Sequence, residues 1–197
     1  MAGGRVKDKA CKVCRVKFTP ARPMQTTCGV PCAIEWGSRQ LAKKQAREAR
    51  QAKAADRTKR EGMKGLLELK KEAQHAFNAF IRARDRKAGH PCICCGKPLR
   101  WGVFGGAVDA GHYRSTGSAD NLRFNEDNAH AQDAQCNRHG AGRAVDYRLG
   151  LIARIGLERV EALEAANQPA KWQRDQLRAI RDTYRAKTNQ LAKEAEQ

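Results

Sequence analysis

Aromatic residues are scarce in this 197-residue chain: five Phe, three Trp and three Tyr, 6% in all. With 30% of its residues charged, the chain lacks the material for one large apolar core. Small domains of this kind usually need staples such as metals or disulfides. Long apolar runs are missing as well. None approaches membrane-spanning length, and the opening MAGGRVKDKACKVC has no apolar stretch of the export type. A soluble, cytoplasmic protein with no membrane partner is expected. The third shortage is of acids, 21 Asp/Glu against 39 Lys/Arg, for a net charge of +18. The imbalance sits mostly in residues 1–90, which hold 23 Lys/Arg and 8 Asp/Glu. Such a field attracts polyanions, nucleic acid above all; the plainer alternative is a solvated helix face.

Proline is absent from Ala33 to Lys87, where Ala, Lys, Arg, Gln and Glu dominate. This predicts helix, broken or bent at EGMKG by Gly62 and Gly65. Its first part has nothing to bury, and Lys43, Lys44, Arg47 and Arg50 suit a helix that tracks DNA. Its second part carries Leu66, Leu69, Ala73, Phe77 and Phe80 at helical spacing and should pack on a neighbour. Gly89-His90-Pro91 should end it. PLRWGVFGGAV, residues 98–108, reads as a hairpin or irregular strand pair. Two amphipathic stretches follow, one through Tyr147, Leu149, Ile152, Ile155, Val160 and Leu163, the other through Trp172, Leu177, Ile180, Tyr184 and Leu191. They read as core or homodimer contacts.

Cysteine is plentiful, with eight residues. Thiols stay reduced in a cytoplasm, so close pairs point to metal rather than disulfides. Cys11 and Cys14 form a CxxC, and Cys28 and Cys32 a CxxxC; two such knuckles close a tetrahedral Zn²⁺ site. A second knuckle, Cys92 and Cys95, has only Cys136 as a later partner. The fourth ligand is open between Asp133, three residues before Cys136, and His139, three after it. Cys94 reads as a small buried hydrophobe. Between the two halves of this second site stands VDAGHYRSTGS, with His112 after a strand-like stretch and Asn128 and Asn137 further on.

CxxCG, DAGHYRSTGSA, NLRFNEDNAH and QCNRHGAG together resemble the phage lambda NinG (Rap) recombination endonuclease family and, more broadly, the HNH or ββα-metal nucleases in an HNN form. The likeness is strong over about residues 70–150 and looser in the N-terminal cysteine unit. It implies a DNA endonuclease cutting branched recombination intermediates, such as Holliday junctions and D-loops, in a host cell's cytoplasm. Phosphodiester hydrolysis needs a proton acceptor and a hard cation. His112 suits the first role. Asp109 and Asn137 offer oxygens to Mg²⁺ or Mn²⁺, Asn128 would orient the loop holding His112, and Arg114 would meet a phosphate. Two departures stand out. Gly111, not an acid, precedes His112, so Asp109 could share its site only through a bulge or turn, which Gly111 could permit. Asp133 stands where related nucleases have the first cysteine of a second CxxC.

The expected architecture is α+β: a zinc-finger-like unit over 1–35, a basic helical linker over 36–88, a zinc-stapled ββα-metal, HNH-like core over 89–145, and C-terminal helices over 146–197. Two structural Zn²⁺ per chain are expected. The competing readings are a non-catalytic, zinc-dependent DNA-binding protein and an HNH nickase acting on linear duplex.

Overall fold

The computed structural model describes residues 7–103 and 106–195. The chain is mixed α+β, mostly helical, with two small two-stranded sheets among the described residues. It divides into two compact units, one reaching Met63 and the other starting at Lys64.

In the first unit β1 (Lys9–Ala10) pairs antiparallel with β2 (Lys17–Phe18), Lys9 opposite Phe18. The turn between them is tight: Cys11 N–H donates to the Val16 carbonyl, and Arg15 N–H, at φ 66°, donates back to the Cys11 carbonyl. Then comes α1 (Val30–Met63), with Pro31 in its first turn, where a missing N–H costs no helical hydrogen bond. None of its described residues is buried, and Ile34 and Leu41 stay exposed. Lacking an apolar stripe, the helix rests on good helix formers and on i,i+4 ion pairs such as Glu35–Arg39 and Asp56–Arg60.

In the second unit α2 (Leu66–Lys87) starts after Gly65, whose backbone is extended. The interruption therefore falls at Lys64-Gly65, while Gly62, also expected to break the helix, stays within α1. Its C-terminus is closed by Gly89 at φ +67°: Gly89 N–H reaches the Arg86 carbonyl and His90 N–H the Asp85 carbonyl. Those two bonds satisfy orphan carbonyls of the last turn. The stripe of α2 is buried on two neighbours. Leu69 and Ala73 meet Leu177 of α5 (Arg174–Ala195), flanked by Phe124, Trp172 and Ile180. Phe77, Phe80 and Ile81 meet Tyr184 of α5 and the hairpin residues Ala110 and Ala129.

That hairpin is β3 (Val108–His112) antiparallel to β4 (Ala129–Asp133), with Val108 opposite Asp133 and His112 opposite Ala129. Tyr147 of α3 (Ala144–Ile155) reaches the hairpin, its hydroxyl donating to the Gly111 carbonyl and accepting from His130 N–H. With Leu151 of α3 and Val160 and Leu163 of α4 (Leu157–Ala165) it forms a core with Ile93, Ala119 and Leu122. The single amphipathic stretch expected over 147–163 is thus two helices. Gly156 at φ 88°, ψ 156° separates them, and Leu149 is left exposed.

The strand pair expected at 98–108 is not found among the described residues. Residues 98–103 are irregular with a turn at Trp101-Gly102, and regular strand starts at Val108. Gly102 and Gly106, both at φ 76°, adopt left-handed backbone that a strand cannot contain. Phe104 and Gly105, part of that expectation, lie outside the described residues.

Candidate functional site

Both predicted thiolate clusters form. Cys11, Cys14, Cys28 and Cys32 bring their sulfurs within 4.8 Å of one another, and so do Cys92, Cys95 and Cys136. A tetrahedron with Zn–S of about 2.3 Å has edges of about 3.8 Å. The Cys14–Cys28 and Cys28–Cys32 separations, 3.6 and 3.7 Å, match it. Both donor sets are compatible with zinc. In the first cluster burial alone would raise Cys11, but the backbone groups of Val13, Cys14 and Cys28 bring it down to about 6. In the second, Cys92 falls to about 4, held by the Cys94 thiol against the opposing effect of burial and helped by the Asp133 N–H at 3.3 Å. One thiol in each cluster is thereby brought toward the thiolate, the form that binds metal, while its neighbours Cys32 and Cys136 are pushed up to about 12 and about 11 by hydrogen bonding and burial.

Neither candidate fourth ligand joins the three-sulfur group. The Asp133 carboxylate instead accepts from Gln135 N–H at 2.9 Å, opening the short π-helical turn Gln135–His139 that carries Cys136. It is the backbone of Asp133 that serves the cluster. Asp133 and His139 do line one cleft with Cys95, Cys136 and Arg143.

His112 ends β3. Its Nε2 lies 3.1 Å from the Arg123 carbonyl, and its ring packs 5.8 Å from that of Phe77. Burial pulls its pKa below the ordinary histidine value, outweighing the carbonyls of Arg123 and Ala110, which push it up. The ring is therefore neutral at pH 7. Asn128, fully buried, ties down the backbone that follows His112. Its side-chain oxygen accepts from Arg114 N–H at 2.8 Å, and its amide donates to the Arg114 and Leu122 carbonyls at 3.0 and 3.2 Å. Its own carbonyl accepts from Tyr113 N–H at 2.8 Å.

Asp109 and Asn137 also meet, although 28 residues apart: the Asn137 amide donates to Asp109 Oδ2 at 3.0 Å. Arg138 forks the same carboxylate with bonds of 2.8 and 2.7 Å. Despite burial, Arg138 and Asn137 hold Asp109 below the usual carboxylate range. The register of β3 with β4 runs without a bulge. Asp109 therefore faces the Arg138 side, while Ala110 and His112 face Phe77; the structure does not bring Asp109 and His112 onto one face. Arg114 is engaged elsewhere too. Its guanidinium donates to the Leu163 and Glu164 carbonyls at 3.1 and 2.7 Å, closing the C-terminus of α4, and to Asn167 at 3.1 Å. Lys43, Lys44, Arg47 and Arg50 are exposed on α1.

Two features have no sequence signal. A Cβ at Gly111 would lie 2.0 Å from Gln132 Oε1. Gln132, whose amide donates to Cys94 Sγ and the Gly142 carbonyl, fills the space that a side chain at position 111 would need, which accounts for the glycine. The other feature is a buried ionic network. Asp85 accepts from Ala131 N–H at 2.6 Å and from Arg84 at 2.8 Å, with His130 and Arg154 each 3.7 Å away. It joins α2 to β4. Its members are scattered from residue 84 to residue 154, and only the tertiary fold brings them together.

A family profile described as Bacteriophage Lambda NinG protein matches residues 4–194. Proteins named "Protein ninG" are similar over nearly the whole chain. That of Escherichia phage lambda is 44% identical over 191 residues, covering 90% of this chain and 89% of its own. That of Escherichia phage 933W is 42% identical over 196 residues, covering 93% of each. That of Salmonella phage P22 is 42% identical over 191 residues, covering 90% of each. No solved structure matches the chain.

Proposed function

We propose, from the premise that this chain belongs to the bacteriophage lambda NinG family, that its second unit is a DNA endonuclease acting on branched recombination intermediates such as Holliday junctions and D-loops. The observation that carries this reading is the pairing of His112 with Asn128. A buried asparagine fixes the two residues after a neutral, tethered histidine, Arg114 through its side-chain amide and Tyr113 through its backbone carbonyl. A neutral imidazole held in place can accept a proton from an attacking water at pH 7. Two structural Zn²⁺ would staple the two units, and the positive charge would hold the polyanion.

The residues able to hold a hard cation, Mg²⁺ or Mn²⁺, are Asp109 and Asn137. A cation there would neutralise charge on the phosphate, and Arg138 would have to release Asp109. That fork favours a second reading. A carboxylate already neutralised by arginine, on the face away from His112, suits a non-catalytic zinc-dependent DNA-binding protein. An HNH nickase on linear duplex is the alternative within nucleases. Incubation of a synthetic four-way junction beside a matched linear duplex, with and without Mg²⁺, separates the three. Metal-dependent cutting of the junction alone is expected. Cutting of both substrates favours the nickase, and tight binding without cutting favours the binding protein.

A further inference from the structure

A cleft of about 700 Å³ opens between the C-terminal turns of α2, the 100–103 segment and the end of α5. Arg82, Arg86, Lys87, Arg100 and Trp101 line it, with Leu191 on the apolar side, and no described lining residue is acidic. Lys87 is paired with Glu194. The guanidiniums of Arg82, Arg86 and Arg100 make no hydrogen bond with a described residue, although the Asp109 carboxylate is near enough to favour the charge of Arg82. Three cations brought to one cleft repel one another, and an anion would relieve the repulsion. The Trp101 indole is half-buried, with Arg86 5.9 Å from its ring centroid. Cationic donors around an aromatic plane are what single-stranded nucleic acid requires, phosphates on the arginines and a base on the ring. A duplex cannot use the ring, because its bases cover one another's faces. The cleft also continues: Arg100, Val103, Gly106 and Ala107 line a second one that reaches Arg138 and His139.

We propose that this cleft seats an unpaired DNA strand, with Trp101 stacking a base and Arg82, Arg86 and Arg100 holding the flanking phosphates. This deepens the DNA reading above and rests on it only for the nature of the polyanion. It assigns recognition of the unpaired part of a branched substrate to a place distinct from His112.

The test is fluorescence anisotropy of a short labelled oligothymidine and a blunt duplex of equal length, with the full zinc-loaded chain and no added magnesium. Trp101→Ala should weaken oligothymidine binding about tenfold and leave duplex binding within about twofold, while Trp101→Phe retains most of the affinity. Arg100→Gln, at an exposed position, should flatten the salt dependence for the single strand by about 0.7 in log–log slope for each phosphate it ceases to neutralise. His112→Ala should bind both probes as the unsubstituted chain does, so loss of cleavage and loss of this cleft are distinguishable. Unchanged oligothymidine binding by both Trp101→Ala and Arg100→Gln overturns the proposal. So does equal weakening on both probes, or thymidine monophosphate competing as well as the oligomer at equal nucleotide concentration. Should Trp101→Ala melt early, Arg100→Gln carries the decision alone.

Discussion

His112 and Asp85 show how one physical effect, burial, serves two ends. For His112, burial keeps the imidazole neutral. If it accepts the proton, His112→Ala should keep zinc, fold and DNA binding while single-turnover cleavage falls about 10²–10⁴-fold. The acid limb of the rate profile should lie below the ordinary histidine value of about 6.5, because the folded ring resists protonation. A limb above that value, or wild-type cleavage by the alanine variant, sinks the assignment. Burial opposes the charge of Asp85 as well, but His130 and Arg84 overcome it and hold the carboxyl far below the usual range; burial leaves His130 itself below its ordinary value. In both cases the folded state binds fewer protons than the unfolded one. Stability should therefore be full at neutral pH, start to fall below about 6.5 as unfolded His130 gains its proton, and fall further below about 3.9 as unfolded Asp85 does. Urea titrations across pH 3–8 (about ten points) would read this, and Asp85→Asn should flatten the lower step. In sequence, the residue types at 112, 128 and 137 stand out because chemistry confines them. The faces of 109 and 112 follow from strand alternation alone. The capping role of Arg114 and the Asp85 network do not, since their partners, the adjacent Arg84 aside, lie more than forty residues away.

At the scale of elements, α1 and α2 differ in what they bury. Replacing Lys43, Lys44, Arg47 and Arg50 of α1 with Gln should cost little stability, because none is buried. If α1 tracks DNA, the log–log salt slope of binding should fall by about 0.9 for each phosphate left without its cation; an unaltered slope would mean a solvated face. Phe77→Ala in α2 should cost about 3–5 kcal/mol in chemical denaturation, since its ring touches Tyr184, Phe124 and His112 at once. The second thiolate cluster poses an element-level question about its fourth ligand. Asp133→Cys should tighten zinc if that position can supply it, with His139→Ala leaving metal content unchanged; the reverse pattern transfers the role to His139. Helices and knuckles are legible because spacing defines them: the stripe of α2, the glycine break, the CxxC pairs. The 98–108 segment misleads because apolar residues among glycines imitate a strand, while positive φ at Gly102 and Gly106 forbids one.

For the whole molecule, the metal expectation is simple. Elemental analysis should find close to two zinc ions per chain, and strong chelation should unfold at least the second unit; folded protein free of zinc would remove this architecture. Another consequence lies in the pairing of α2 with α5. The first thiolate cluster is complete once Cys32 has been made, so it can close early on a ribosome. The stripe of α2 has no such luck. Leu69, Ala73 and Phe77 rest on Leu177 and Tyr184, which are synthesised about a hundred residues later. At roughly 5–20 residues per second, this stripe stays bare for roughly 5–20 s in every nascent chain. Chains arrested before Leu177 should therefore bind general chaperones that full-length chains do not, and deletion of α5 should increase aggregation over that of the full chain.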